Sequence, residues 1–401
     1  MKKHVGSLFQ RLNRKTVIWF LLVGVAIFIN LVVFTVKVNI TGSYEGIFLL
    51  KGEPGALYEL KDDLYLGEGY RYIWGIDFAG LKHVATVIFD AGADNQPHLE
   101  FHWNERSGNG FIRNYLAGGR QLLTCFSRFI DDAGKEVSGL FVGGGLPANV
   151  LEDDVVKMNE TGMAYYDGLR WYHIWCNVNE AIFTSDERPV YPSTWKYLGS
   201  RVLHQDKKSL VITSGHEVNL DGNPLHIDRY AYFRAGANYF VLQIVLQNVG
   251  VRPAAYYYVY SDEPWLGNYG TSGGNVGWSG DGLHRYVGAI NSNKYNYAGL
   301  FDYGNDAIGE GHHFTMTADF LAWFGAVKPA VYFSNGPTEE IKVTNGKIPL
   351  ASNERFIAVQ WGPRTLLPGQ SEIYTLAIGM ADRDPRTGFP VKPDIDLKNF
   401  P

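Results

Sequence analysis

The amino-acid sequence predicts an all-β protein, a large antiparallel β-sandwich of the supersandwich kind with one or two short accessory helices, preceded by a single transmembrane helix. Three observations predict it. From about Tyr44 onward, short apolar and aromatic runs alternate with turn residues, and little 3.6-residue periodicity is sustained. Gly supplies 46 of the 401 residues and aromatics reach 14%, a composition suited to strands and tight turns. Ahead of this region stands one long uncharged apolar run.

That run, Val17 to Val36 (VIWFLLVGVAIFINLVVFTV), has Asn30 as its main polar interruption. Twenty residues of helix cross about 30 Å of hydrocarbon. The run exceeds a signal-peptide apolar core of roughly 7 to 15 residues and no A-x-A-like cleavage site follows, which favours an uncleaved anchor over a cleaved signal. Lys2, Lys3, Arg11, Arg14 and Lys15 precede it and only Lys37 follows at once, so the positive-inside bias expects residues 1–16 in the cytoplasm and the rest outside it, periplasmic or extracellular. The expected organisation is thus 1–16 basic terminus, 17–36 anchor, 38–381 β-sandwich and 382–401 extended tail. Asn39-Ile40-Thr41 and Asn159-Glu160-Thr161 are glycosylation sequons, meaningful in a cell that glycosylates.

Within the body, Lys196 to Tyr260 is punctuated regularly. A run ends at His204, and a second occupies the stretch to Thr213. Asp221-Gly222-Asn223-Pro224 then precedes a run to Arg234, Gly236-Ala237-Asn238 precedes Tyr239 to Gln247, and Asn248-Val249-Gly250 leads towards Ala254 to Tyr260. These are hairpin signals. Asn345-Gly346 marks another, and Pro368-Gly369 introduces a last strand, Glu372 to Met380. There Tyr374, Leu376, Ile378 and Met380 form the larger apolar set and should face the core. Two segments depart from the β pattern: Leu122, Leu123, Phe126, Phe129 and Ile130 recur at helical spacing before Gly134, and Pro147 to Met158 could open a short helix with Pro near its first position. The Pro- and charge-rich tail from Asp382 reads as a strap or a frayed end.

The formal charge is −5, and discounting the six N-terminal bases leaves 30 basic against 41 acidic residues beyond position 37. An acidic body argues against a nucleic-acid partner. Two cysteines, Cys125 and Cys176, exclude a disulfide scaffold, while a single disulfide and two buried thiols both stay open. No P-loop, H-E-x-x-H, C-x-x-C or G-x-G-x-x-G occurs, which leaves nucleotide hydrolysis, zincin chemistry, dithiol redox and dinucleotide binding unsupported. Gly270-Thr271-Ser272-Gly273-Gly274 fits G-x-S-x-G, but a nucleophile elbow needs a strand before it and a helix after it, and Asn275 to Trp278 continues the β context.

The segments FVLQIVLQNVG (Phe240 to Gly250), RPAAYYYVYSDEPW (Arg252 to Trp265) and RTLLPGQSEIYTLAIGM (Arg364 to Met380) resemble the large sandwiches of the galactose mutarotase-like superfamily, over about residues 200 to 380. The resemblance implies saccharide binding or chemistry in a groove on a concave sheet, by His and carboxylate groups with aromatic platforms. The resemblance carries no catalytic residue over to this chain's His or Glu positions, and a membrane anchor departs from the soluble pattern.

Candidate site residues follow from the residues themselves. Tyr256 to Tyr286 holds eight aromatics and seven glycines in 31 residues. Exposed Trp265, Tyr269 and Trp278 there could stack on sugar rings, with Asp262, Glu263 and Asp281 accepting hydroxyl hydrogen bonds; the plain alternative is a loop packing its own aromatics over a sheet edge. Asp262 and Glu263 are strand neighbours pointing to opposite faces, so they do not pair with each other. His284 and Glu263 are acid/base candidates. His98, Glu100 and His102 share one face if their segment is a strand, suited to a polar groove or simply to a solvated surface. The two histidines would stand roughly 13 Å apart, too far to share one ion; a third ligand would have to come from elsewhere, such as His312-His313, and neither a metal nor a cofactor is expected.

Together these readings predict a membrane-anchored, extracytoplasmic glycan-binding protein. Its partners are a saccharide or polysaccharide and, through residues 17–36, the lipid bilayer. Should it be an enzyme, His/carboxylate acid/base chemistry would serve epimerisation, elimination or hydrolysis. The competing expectation is a non-catalytic assembly subunit beside a membrane-protein partner, its aromatics buried in an interface.

Overall fold

The structure, a computed structural model, describes residues 70–77, 82–89, 96–105, 108–126, 137–143, 162–168, 171–175, 177–206, 208–263, 266, 275–302, 318–336, 348–350 and 355–399. The expected anchor at 17–36, the helix expected at 147–158 and the hairpin at Asn345-Gly346 lie outside these residues. Among the described residues no helix is long and apolar enough to cross a membrane.

Strands dominate what is described. β1 (Tyr70–Asp77), β2 (Lys82–Phe89), β3 (His98–Asn104), β4 (Asn109–Tyr115), β5 (Gln121–Phe126), β6 (Met163–Tyr166) and β7 (Trp171–Trp175) form an antiparallel meander in chain order. The following strands are β8 (Asn177–Thr184), β9 (Pro189–Val190), β10 (Lys196–Gln205), β11 (Ser209–Leu220), β12 (Asn223–Arg234), β13 (Tyr239–Asn248), β14 (Ala254–Glu263), β15 (Asn275–Ser279), β16 (Gly282–His284), β17 (Gly288–Ile290), β18 (Tyr297–Asp302), β19 (Asp319–Phe324), β20 (Ala330–Ser334), β21 (Phe356–Leu366) and β22 (Ser371–Met380). They build a nine-stranded sheet ordered β10-β11-β12-β13-β22-β19-β18-β15-β16 and a six-stranded sheet ordered β17-β20-β21-β14-β8-β9. A two-stranded ribbon, β23 (Asp382–Arg383) with β24 (Pro390–Val391), lies in the tail.

The hairpins of residues 196 to 260 form where turn chemistry places them. β11 and β12 close through Leu220 opposite Asn223, with Asp221 and Gly222 both at positive φ (53° and 76°). Two consecutive positive φ values define the primed turn that matches strand twist, and Asp-Gly is among the pairs that adopt it readily. The Asn219 side-chain oxygen accepts the Gly222 N–H at 2.6 Å. Alternation then sorts the faces. On β22, Tyr374, Leu376, Ile378 and Met380 are buried in the main core, as expected, while Ile373 is 54% exposed.

The core between the nine- and six-stranded sheets draws Leu225, Ile227, Leu242, Ile244 and Leu376 from one and Ile182, Ile357 and Val359 from the other. Trp361 stacks on Tyr374 with ring centroids 4.5 Å apart, and Tyr258 meets both rings, at 5.5 Å from Tyr374 and 6.0 Å from Trp361; such pairs contribute about 0.5–1.5 kcal/mol beyond area burial. The meander joins the same core through Phe126, whose ring meets Phe233 and Phe240 edge-on. Asn114 of β4 fixes that junction: its amide donates to the Arg234 and Ala237 carbonyls and accepts the Gly236 N–H.

One expected helix is corrected. Leu122 to Phe126 belongs to strand β5, not to a helix. Leu122, Leu123, Cys125 and Phe126 are all buried, so both faces of the strand are covered, and a doubly buried strand shows a continuous apolar run that spacing alone does not separate from a buried helix. Phe129 and Ile130 lie outside the described residues, as does Cys176, and with it the question of its pairing with Cys125. The tail is a strap. The Asp396 carboxylate meets Arg234 at 3.2 Å, the Asp396 N–H donates to the Tyr239 hydroxyl, and Ile395 and Leu397 pack on the outer cluster around Phe320 and Tyr239.

Candidate functional site

In the Gly-rich segment 256–286, the described residues include most of β14 and the β15–β16 hairpin. Trp278, on β15, is 3% exposed; its indole N–H donates to the Asp319 carbonyl at 3.0 Å and its ring packs on Tyr297. Of the three rings expected to stack on a ligand, Trp278 is therefore enclosed. Two of the segment's glycines have a related cause: a Cβ on Gly277 would sit 2.7 Å from the Phe333 ring, and one on Gly280 would sit 2.0 Å from the Tyr295 ring. Here glycine lets the protein's own rings approach the backbone. Asp281 is exposed and lies 3.6 Å from Lys294. Asp262 and Glu263 end β14, opposite Val178 and Asn177 of β8; their side chains, with Trp265 and Tyr269 entire, lie outside the described residues.

His284 stands beside Ser279, with Nε2 and Oγ 2.7 Å apart. A Ser–His contact is the start of a nucleophile–base pair. Two observations deny it that work: Ser279 is 6% exposed, and among the described residues no hydrogen bond holds His284 Nδ1. Burial lowers the His284 pKa, with the Asp281 charge pulling the other way.

His98 and Glu100 do lie on one face of β3. Each is engaged by β4, whose Tyr115 and Arg113 stand opposite them in register. The His98 ring stacks on Tyr115 at 4.0 Å. Glu100 is 7% exposed and accepts the Tyr115 hydroxyl at 3.0 Å, with Arg113 at 3.9 Å. Burial and the Glu100 charge push the Tyr115 hydroxyl up to about 12. This is a cross-strand polar ladder rather than an open groove. The His102 side chain lies outside the described residues. Among the described residues no group of three His, Cys, Asp or Glu is placed to hold a metal ion.

A cleft of about 680 Å³ lies elsewhere among the described residues. Three parts of the chain supply its polar side chains, with Ala318 beside them. The first sheet supplies Arg120, ahead of β5, and Tyr165 and Asp167 at the end of β6; the β12–β13 turn supplies Asn238; and the chain leaving β22 supplies Asp382, Arg383 and Asp384. Asn238 ties the last two parts together. Its amide donates to the Met380 carbonyl at 3.0 Å and to Asp382 Oδ1 at 3.1 Å, and its own carbonyl accepts the Met380 N–H. Arg120 is steadied by its Nε donating to the Ala117 carbonyl. Gly388 at φ 74° closes the turn between β23 and β24, donating to the Asp384 carbonyl.

Two carboxylates of this cleft are displaced in opposite directions. Partial desolvation raises Asp382, against the pull of Arg120 and the Asn238 hydrogen bond. Backbone N–H groups of Arg386 and Thr387 hold Asp384 below its ordinary value. The cleft's mix of guanidinium, carboxylate, amide and phenol groups around Ala318, Met380 and Ala381 suits a hydroxyl-rich ligand. No histidine is among its described lining residues, and none of the ten residues singled out by sequence is either. The signals that pointed here were slight: the Gly236-Ala237-Asn238 turn and the charges of the tail.

No family model and no curated protein matches this chain. Among solved structures, it is similar to a galactose mutarotase-like protein from Clostridium acetobutylicum, with 9% identity and a TM-score of 0.40 over 72% of this chain and 99% of that one. It is also similar to a putative aldose 1-epimerase from Klebsiella pneumoniae (11%, TM-score 0.38, 79% and 88%) and to a galactose 1-epimerase from Lactobacillus acidophilus (10%, TM-score 0.33, 71% and 98%). At these values the likeness gives no residue a role.

Proposed function

We propose that this chain is a membrane-anchored, extracytoplasmic saccharide-binding protein whose ligand enters the cleft between the first sheet, the β12–β13 turn and the tail. The observation that carries the reading is the convergence of Arg120, Arg383, Asp167, Asp382 and Asp384 with Tyr165 in one cleft of about 680 Å³. Donors and acceptors of both signs beside a phenol ring fit sugar hydroxyls and ring faces. The anchoring part of the proposal rests on Val17 to Val36 and the basic residues before it.

The test is a glycan array probed with the full chain in detergent micelles, alongside Arg120→Ala and Asp382→Asn. The expected result is glycan binding that falls about tenfold or more in each variant, a loss of about 1.4 kcal/mol. Binding equal to that of the unmodified chain in both variants would refute the cleft assignment. A second reading, a non-catalytic assembly subunit, is favoured by the enclosure of Trp278. It predicts no glycan binding at all and co-purification with a membrane-protein partner.

A further inference from the structure

The outer face of the nine-stranded sheet carries an unbroken accessible row. Cross-strand register places Arg201 opposite Thr213, Thr213 opposite Tyr230, Tyr230 opposite Gln243, Gln243 opposite Thr375 and Thr375 opposite Phe324. Directly paired residues share a face, so these six side chains line up across β10, β11, β12, β13, β22 and β19. All six are half-buried or exposed. At about 4.8 Å between strands the row is about 24 Å long.

Neighbouring rows differ. One step towards the cleft, the row of Val211, Val241, Ala377 and Ala322 is buried, apart from Tyr232, and the tail strap packs over this outer cluster through Ile395 and Leu397. One step the other way, Gly199 and Gly215 stand in line with Asp228, Val245 and exposed Ile373, and at the glycine end the row opens into a groove of about 420 Å³ that Leu198 and Leu203 also line. The accessible row is thus the first one that the strap leaves uncovered.

Two of its polar side chains are held by the protein, the Thr213 hydroxyl donating to the Arg229 carbonyl at 2.8 Å and Gln243 accepting from Tyr232, while its charged groups are not. Among the described residues neither Arg201 nor Asp228 makes an ion pair, although ion pairs engage Arg188, Arg229, Arg234 and Arg364. The Tyr230 ring lies parallel to Tyr232 at 6.4 Å, and the Tyr232 hydroxyl donates to Gln243 Oε1. This arrangement places two near-parallel, half-buried phenol rings beside one cation, one anion, an amide and two hydroxyls.

We propose that this row is a second binding track, which holds an extended neutral oligosaccharide lying across the strands. The opposed charges of Arg201 and Asp228 balance, which matches an uncharged ligand rich in hydroxyls, and the phenol faces of Tyr230 and Tyr232 match the apolar faces of sugar rings. The row's length fits several linked rings. The inference rests on the saccharide reading of the cleft for its ligand class but on separate residues for its site.

The test is direct binding of the full chain in detergent micelles to neutral gluco-oligosaccharides of two to six rings, both α- and β-linked, with uronate oligosaccharides of equal length as a second arm. Variants are Tyr230→Ala, Arg201→Ala, Gly215→Val, which fills the groove, and Arg120→Ala for the cleft. The expected result is neutral hexasaccharide affinity about tenfold above that of the disaccharide, with the gain removed by the three row variants and disaccharide affinity unchanged. Loss in the row variants together with unchanged binding in Arg120→Ala would uphold the row and refute the cleft. Hexasaccharide affinity unchanged in all three row variants would overturn the row and leave the cleft standing. Preference for the uronate arm, self-association lost in the row variants without any change in sugar binding, or no oligosaccharide bound by the unmodified chain would each overturn the row.

Discussion

The two faces of β12 carry opposite charges one residue apart and use them differently. Arg229 points inward, fully buried between the sheets, where it donates to Glu180, lies over the Phe141 ring at 4.0 Å and meets the Tyr258 hydroxyl, which itself donates to Glu180. Asp228 points outward into an open groove and makes no ion pair among the described residues. The inner charge is locked by partners from β8, β14 and the 137–143 segment; the outer one is left for a ligand. A charge removed from water must be paired, whereas a charge left in water stays available.

The comparison breaks most easily at the inner face. Glu180→Ala should destabilise the fold by about 3–5 kcal/mol, because it strands the Arg229 guanidinium in the core. Chemical denaturation measures the loss. The double variant Glu180→Leu with Arg229→Met should recover much of it, since an apolar pair of similar volume needs no compensation; a double variant as unstable as the single one would contradict this account.

Next to that pair, His216 donates to the Ser138 carbonyl and is packed under Gly139. Burial, helped by the Arg229 charge, lowers its pKa to about 3. Between about pH 6.5 and pH 3 the unfolded chain therefore binds a proton that the folded chain refuses, so stability is full above pH 6.5 and falls as the pH falls. His216→Gln should flatten that slope in denaturation midpoints measured from pH 7 to pH 4. An equal slope in both proteins would show that His216 is not kept neutral.

Glu372 gives a smaller effect at the rim. Burial opposes its ionisation, but bonds from Arg364, Tyr374 and Tyr256 prevail and lower its pKa. Its contribution is present above the ordinary carboxylate range near pH 4.3 and is lost as the pH falls through the lowered value. Glu372→Gln should cost stability at pH 7 and almost none at pH 2. The smallest effect belongs to the outer face: Asp228→Asn should change stability by no more than about 0.5 kcal/mol, and a larger loss would mean that Asp228 serves the fold.

How much of this could be read in the sequence depends on how local the cause is. Asp221-Gly222 forces a turn by its own backbone chemistry, and the alternation on β22 reports one covered face, so hairpins and facing were legible. β5 was not, because burial on both faces erases the alternation. The glycines of residues 277 to 280 looked like a ligand's approach and instead admit Phe333 and Tyr295, rings 15 or more positions away in the chain. The cleft joins Arg120, Asn238 and Asp382, and the outer row depends on β22 inserting beside β13. Neither follows from spacing along the chain.

Amide hydrogen exchange of the full chain, with and without the oligosaccharide that gives the strongest array signal, tests the cleft most directly. The account predicts slowed exchange at Asn238 and across Ala381 to Gly388. Unchanged exchange there, with slowing confined to residues 256 to 286, would contradict it.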